Sequence, residues 1–216
     1  MLAEGLTAIG FQKKGRRTFY LRIDDILTVI SFERPSGLLY LQFALIPLYL
    51  PCGGEVYYDY GSRFHNMFSD CPVLDRKASD QEIRLLCMSA IIHVKDDLLP
   101  FARSLSTAEK LISFSESAAG SIKRRHTRYI RCTPEKIKYL FMYSSIYAED
   151  YVKARKAAKD YVQSIDTCSY LTEKLRDERK SEGESIVVLL ETGQYSELKE
   201  RLNRTVSANL MMFDLL

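Results

Sequence analysis

The chain has 216 residues, and its 31 Lys and Arg against 28 Asp and Glu leave a formal charge of +3. Hydrophobic residues make up 46% and charged residues 27%, with only 10 Gly and 6 Pro. These proportions exclude a collagen-like, low-complexity or wholly disordered chain, and the length suffices for a core that needs no disulfide or metal.

The first residues, the most apolar segment and the cysteines bear on location. The opening MLAEGLTAIGFQKKG has no basic stretch followed by an apolar one, so it does not resemble a secretory signal. Residues 38–50 are too few for a membrane helix, and two prolines interrupt or bound them. The five cysteines form no C-x-x-C pair, which favours free, packed thiols. We therefore expect a cytoplasmic protein without a membrane span.

Apolar segments and turn residues alternate in the N-terminal half. A short helix is predicted over 3–9, followed by strands over 18–23, 26–32 and 38–50. Short connections between consecutive strands predict an antiparallel meander. The second strand is apolar on both faces, which predicts a central, covered position. Residues 51–75 are predicted to form a loop with room for one more strand.

Helix signals follow this segment. Ser79 with Glu82 forms a capping-box pattern before a helix predicted over 80–98, which is expected to stop at Pro100. Ser106 with Glu109 repeats the pattern before a helix that ends near residue 117.

The C-terminal part begins at Thr133-Pro134, a cap residue followed by proline at the first helical position. Helices are predicted at about 134–147, 149–164, 166–181, 184–192 and 194–212. Segments starting at Tyr151 and Tyr195 superpose with an offset of 44 residues, which indicates helical hairpins rather than a tetratricopeptide domain. The predicted class is α+β, with an antiparallel β-meander packed with helices over 1–120 and an α-helical hairpin bundle over 121–216.

The N-terminal half also carries a family-like pattern. A helix ends in a turn rich in glycine and lysine, a TFY strand start follows, and then a strand that begins with an acidic residue; the matching residues are Gly10, Phe11, Lys13, Lys14, Gly15, Thr18, Phe19, Tyr20, Asp25, Ile26, Val29, Ile30 and Phe32. Over about 5–115 the chain resembles the bacterial family known as domain of unknown function 4304. The resemblance implies a bacterial α+β domain with a link to toxin-immunity or interaction systems, and it supplies no catalytic residues.

Local motifs of known chemistry are absent from the sequence. The three histidines have no metal-ligand spacing, and neither a phosphate-binding glycine loop nor a G-x-S-x-G elbow occurs. We therefore predict no catalytic residue, no metal ligand and no cofactor, and favour a non-enzymatic role. An enzyme remains as an alternative, with a site at 52–71 formed by convergence of Cys52, Asp59, His65 and Cys71. A loop histidine beside structural thiols is the favoured interpretation of that group.

Two pairs of adjacent carboxylates are candidate acid/base groups. Asp24-Asp25 is interpreted as a tight turn before the second strand, and Asp96-Asp97 as a solvated helix end before Pro100. We favour these structural interpretations because hydrolysis needs two carboxyl groups facing each other across a substrate.

Positive charge is concentrated between positions 121 and 139, a segment with seven basic residues and a single acidic residue, Glu135. The difference of +6 leaves −3 for the rest of the chain. The predicted partner-binding residues are Lys123, Arg124, Arg125, Arg128, Tyr129 and Arg131. A solvated segment that pairs with acidic neighbours or an acidic protein partner is favoured. The alternative is a nucleic-acid-associated protein using 123–138, since basic residues with interleaved tyrosines can hold phosphates and stack bases.

A stripe of tyrosines recurs every four residues, at Tyr139, Tyr143, Tyr147 and Tyr151. A helix places residues at this spacing along one side, and we expect most of them to pack against the next helix. Helical hairpins commonly present binding surfaces for proteins. The sequence thus favours a non-catalytic protein-interaction or immunity-like module.

Overall fold

The computed structural model describes residues 1–34, 37–51, 59–120 and 128–215, with the backbone alone at 118–120. Contacts between residues divide the described chain into two compact units. The sheet unit comprises the described parts of 1–47, 59–106 and 128–131, and the helical unit comprises 48–51, 107–120 and 132–215. The domain ranges 1–120 and 121–216 stay a prediction; the contact grouping differs from them chiefly by joining 107–120 to the later helices.

A five-stranded antiparallel sheet, in the order β1 to β5, forms the sheet unit's centre. Its strands are β1 Gln12–Lys14, β2 Thr18–Ile23, β3 Ile26–Glu33, β4 Tyr40–Pro47 and β5 Gly61–Arg63. β3 pairs with β2 and β4, and its residues 26–31 are buried on both faces. The predicted meander and its central strand are confirmed. β4 ends at Pro47 rather than at residue 50, because residues 48–50 form a turn.

Helices of the sheet unit are α1 Leu2–Ala8, α2 Phe64–Met67, α3 Asp80–His93 and α4 Leu99–Ser104, with a π-helical turn, Val94–Leu98, between the last two. The predicted capping box starts α3: Glu82 N donates to Ser79 Oγ at 3.3 Å, and Ser79 N donates to Glu82 Oε2 at 2.7 Å. The predicted stop at Pro100 is wrong. Pro100 lies in the first turn of α4, where a missing N–H costs little, so the chain stays helical to Ser104.

The described part of the helical unit contains five helices: α5 Ala108–Gly120, α6 Pro134–Tyr147, α7 Tyr151–Asp166, α8 Glu173–Glu191 and α9 Tyr195–Met212. The predicted capping box at the start of α5 is wrong, because Lys110 N donates to Thr107 Oγ1 at 3.5 Å while Ser106 Oγ donates to Asp24 Oδ2. The tyrosines that start α7 and α9 in the superposed segments stack on each other, with ring centroids 4.0 Å apart.

α8 runs through the position where the sequence predicts two separate helices. Gly183 lies inside it and is buried. A Cβ at this position would lie 2.7 Å from Val162 Cγ2 and 3.1 Å from Tyr161 Cδ1. The glycine therefore permits close packing of α8 on α7 instead of ending a helix, and the predicted break near 182 is wrong.

Two further expectations concern membranes and thiols. Within the described parts of the chain, no helix combines the length and apolarity needed to cross a bilayer. Cys71, Cys87, Cys132 and Cys168 are buried and form no disulfide with another described residue, as expected for packed thiols. Cys52 lies outside the described residues.

Candidate functional site

The predicted partner-binding residues fall into two groups. Lys123, Arg124 and Arg125 lie outside the described residues. The other three, Arg128, Tyr129 and Arg131, are described by the structure and belong to the sheet unit. Their role in binding a partner stays a prediction.

Arg128 and Tyr129 pack against aromatic residues of the sheet unit. Arg128 Nε donates to the Met67 carbonyl at 2.6 Å, and its guanidinium lies 4.8 Å from the centre of the Phe68 ring. The Tyr129 ring lies 4.8 Å from that of Phe101. These contacts fix both side chains to the protein, which leaves less of their surface for stacking a nucleic-acid base.

The tyrosine stripe of α6 packs within the helical unit, although not only against the next helix, α7, as predicted. Tyr147 stacks on Tyr49, with ring centroids 4.4 Å apart. Tyr139 and Tyr143 both donate a hydrogen bond from their hydroxyls to Glu182 Oε1 on α8, the former at 3.0 Å. Burial, with the nearby Glu182 charge adding to it, raises the pKa of both hydroxyls well above 10. Both tyrosines therefore remain donors at neutral pH.

Glu182 also lines a cavity of about 360 Å³ between α6, α8 and α9. One part of its wall is apolar and another polar, and the lining residues are Tyr143, Ile146, Ser181, Glu182, Ser185, Ile186, Leu198, Arg201, Leu202 and Thr205. Arg201 is already engaged, because it donates to Glu197 Oε1 at 2.6 Å and to Ser185 Oγ at 3.2 Å. None of the ion pairs formed between described residues involves Glu182.

Hydrogen bonding differs between the two carboxylate oxygens of Glu182. Its Oε1 accepts two hydroxyl hydrogen bonds, which hold the carboxylate in place across the α6–α8 contact. Its Oε2 has no hydrogen bond to any described residue. A fixed carboxylate with a free oxygen beside apolar side chains is suited to a cation that carries an apolar stem.

A second cluster lies in the sheet unit, around His93 at the end of α3. His93 Nδ1 lies 2.8 Å from Asp97 Oδ2, within the π-helical turn, and Nε2 lies 2.9 Å from Asp70 Oδ1. The imidazole also stacks on the Phe68 ring, with centroids 3.8 Å apart. Hydrogen bonding to His93 lowers the pKa of the Asp70 carboxyl. The histidine is thus held in one orientation between two carboxylates and an aromatic ring.

Cys71 adjoins this cluster. One ligand atom from each of Asp70, Cys71 and His93 lies within 4.8 Å of the others, the one such group of three among the described residues. Burial, assisted by the Asp70 charge, raises the pKa of the Cys71 thiol to about 12. A thiol in this state is a poor nucleophile at neutral pH, which weakens the thiolate chemistry considered for residues 52–71.

Among the described residues, the predicted convergence of Asp59 and His65 with Cys71 is not formed, and Cys52 lies outside those residues. Cys71 clusters with Asp70 and His93, and neither His65 nor Asp59 belongs to that group. His65 instead faces the Tyr40 ring edge-on, with centroids 6.0 Å apart. Burial, together with nearby Arg63 and Arg131, lowers the pKa of His65.

The structure confirms the interpretation of one carboxylate pair and contradicts that of Asp97 in the other. Asp24 adopts φ of 49° in the β2–β3 turn, so the turn interpretation of Asp24-Asp25 is confirmed. The interpretation of Asp97 as a solvated helix end is wrong, because its carboxylate pairs with His93. The spacing of four residues between His93 and Asp97 places them on one face of a helix, so the sequence could have predicted this contact. Asp70 lies 23 residues from His93, and no local spacing in the sequence connects them.

Comparisons with protein families, with characterised proteins and with solved structures found no match to this chain. The resemblance of its N-terminal half to the domain of unknown function 4304 family therefore stays a prediction, as does the bacterial origin it implies.

Proposed function

We propose that this chain is a non-catalytic protein-interaction module whose helical unit binds a Lys or Arg side chain of a partner protein in the α6–α8–α9 cavity. The observation that carries the proposal is Glu182, a fixed carboxylate on the cavity wall that forms no ion pair with a described residue. Immunity to a toxin would be one use of such a module.

Charge and hydrogen bonding support a cationic occupant. The hydroxyls of Tyr139 and Tyr143 donate to one oxygen of Glu182 and stay protonated, so neither adds a second negative charge beside the carboxylate that lines the cavity. A charge-assisted hydrogen bond from an ammonium or guanidinium group to the other oxygen is stronger than a neutral one. Arg201 does not compete for this carboxylate, since Glu197 already balances its charge.

Size and polarity support a long basic side chain rather than a free metal ion. Ile146, Ile186, Leu198 and Leu202 form an apolar part of the wall, against which methylene groups can pack. A cavity of about 360 Å³ also admits the neighbouring backbone of a peptide. The occupant we infer is therefore a segment in which Lys or Arg lies next to apolar residues.

Selection of random peptides displayed on phage against the purified protein tests this proposal. We expect enrichment of peptides with Lys or Arg beside apolar residues. Glu182→Gln keeps an acceptor for the tyrosine hydroxyls but removes the charge, and should lose these peptides. Glu184→Gln changes an exposed carboxylate on the same helix and should retain them.

Circular dichroism and thermal unfolding of each variant establish that the helical unit is intact before selection. Failure to enrich any peptide with folded protein would overturn the proposal. Enrichment of peptides without a basic residue, or equal enrichment on Glu182→Gln, would overturn it as well.

A further inference from the structure

We propose that Asp70, Cys71 and His93 form a zinc-binding site in the sheet unit. The three residues come from two neighbouring parts of the fold: Asp70 and Cys71 follow α2, and His93 is the last residue of α3. Their ligand atoms lie within 4.8 Å of one another. This site is separate from the Glu182 cavity and does not rest on the function proposed for it.

Donor chemistry selects the ion. Thiolate, imidazole and carboxylate together suit Zn²⁺, whereas Mg²⁺ and Ca²⁺ prefer sites made of oxygen alone. The carboxylate of Asp70 and the thiolate of Cys71 balance the two positive charges of Zn²⁺. On binding, the sulfur–hydrogen bond of Cys71 breaks, a Zn–S bond forms, and the proton leaves to solvent.

His93 is oriented as a ligand. Histidines that bind a metal commonly donate the other ring N–H to a carboxylate, which fixes the tautomer and the direction of the ring. Asp97 supplies this carboxylate at 2.8 Å from Nδ1, and the stack on Phe68 holds the plane of the ring. Nε2 therefore faces Asp70, as a ligand nitrogen should.

The nitrogen of His93 and the oxygens of Asp70 already lie close to the spacing of two zinc ligands. His93 Nε2 lies 2.9 Å and 3.1 Å from the two oxygens of Asp70. Tetrahedral zinc with ordinary bond lengths separates a nitrogen and an oxygen ligand by about 3.3 Å. The side chain of Asp70 is 54% exposed and can shift by the few tenths of an ångström required. Three protein ligands leave a fourth position for water or an external ligand.

Titration of the full chain with Co²⁺, under a reductant that does not bind metal, tests the site. Equimolar binding should produce a thiolate-to-cobalt charge-transfer band in the near ultraviolet and the visible bands of a four-coordinate ion. Added Zn²⁺ should displace the cobalt and remove both. Cys71→Ser should abolish the charge-transfer band, whereas Cys87→Ser, at a buried cysteine of α3 outside the cluster, should leave it unchanged.

Asp97→Asn provides a variant that spares all three ligands. The amide oxygen still accepts from Nδ1, but the loss of charge should weaken Co²⁺ binding about 10- to 100-fold while the spectrum keeps its shape. Absence of a charge-transfer band in folded wild-type protein would overturn the site. A band that survives in folded Cys71→Ser protein would also overturn it.

Discussion

The elements of the sheet unit and those of the helical unit are held together by different kinds of bond. In the sheet unit, neighbouring strands exchange backbone hydrogen bonds along a ladder. A helix satisfies its backbone internally, so contacts between helices depend on side chains. The helical unit accordingly contains the buried Tyr49–Ser144 hydroxyl pair and the tyrosine bonds to Glu182. A substitution that places a side-chain atom against a neighbouring backbone should therefore destabilise the sheet unit most. Loss of a buried side-chain hydrogen-bond donor should destabilise the helical unit most.

The largest effect is expected at Gly61, in the β4–β5 pairing. A Cβ there would overlap the carbonyl oxygen of Phe43 and lie 2.7 Å from Ala44 Cα, both of them backbone atoms that cannot rotate away. We expect Gly61→Ala to lower the free energy of unfolding by about 3 kcal/mol in urea denaturation. Gly183→Ala, whose nearest neighbour is the Val162 side chain, should cost less than half as much. Equal losses would contradict the proposed difference between the units.

Asn209 tests the dependence of the helical unit on side-chain donors. This buried residue donates from Nδ2 to the carbonyls of Leu48, at 2.7 Å, and Leu50, at 2.8 Å. Asn209→Leu removes both bonds from a buried site and should lower the free energy of unfolding by about 2 kcal/mol. The matched change at an exposed position of the same helix, Asn203→Leu, should alter it by less than about 0.5 kcal/mol. An unchanged free energy of unfolding in Asn209→Leu would contradict the dependence of the helical unit on side-chain donors.

The capping box of α3 tests a local signal in the sheet unit. Ser79 both accepts from Glu82 N and donates its own N–H to the Glu82 carboxylate. Ser79→Ala should cost about 1 kcal/mol in urea denaturation, because the first turn of α3 loses its side-chain acceptor. Gln81→Ala, at an exposed position in that turn, should be nearly neutral. Equal effects of the two changes would show that the cap contributes nothing to stability.

The smallest effect concerns the buried tyrosines, whose contribution to stability changes with pH only in alkaline solution. Their pKa is raised in the folded state above the value of about 10 expected when unfolded, so folding favours the protonated form. This stability is fully present below pH 10 and is lost as pH rises through the folded pKa. The urea concentration at the midpoint of unfolding should therefore decrease as the pH rises above about 10. It should decrease less steeply in a Tyr139→Phe, Tyr143→Phe double variant. An unchanged slope in that variant would contradict the assignment.

Strong local patterns predicted much of the fold. Alternating apolar residues and Asp24-Asp25 predicted the β2–β3 hairpin, and Thr133-Pro134 predicted the start of α6. The segments superposed on Tyr151 and Tyr195 predicted the starts of α7 and α9 to within two residues. These signals depend on neighbours in sequence, which is why they could be read without the structure.

Other features depend on contacts between distant residues. Gly183 predicts a helix end by its conformational freedom, but packing of α8 on α7 determines its role. Pro100 predicts a stop, but its place in the first turn of α4 makes it compatible with a continuing helix. Glu182 and the His93 cluster are absent from the sequence prediction because each joins residues more than 20 positions apart.

Binding of a basic side chain at Glu182 can be tested most directly by nuclear magnetic resonance. Nα-acetyl-lysine methylamide should shift the methyl signals of Ile146, Ile186, Leu198 and Leu202 in wild-type protein, since these residues line the cavity. Nα-acetyl-norleucine methylamide, which keeps the apolar stem without the ammonium group, should leave them unchanged. Glu182→Gln should abolish the response to the lysine compound. Equal shifts with both compounds, an undiminished response in Glu182→Gln, or no shift with the lysine compound would contradict the proposed function.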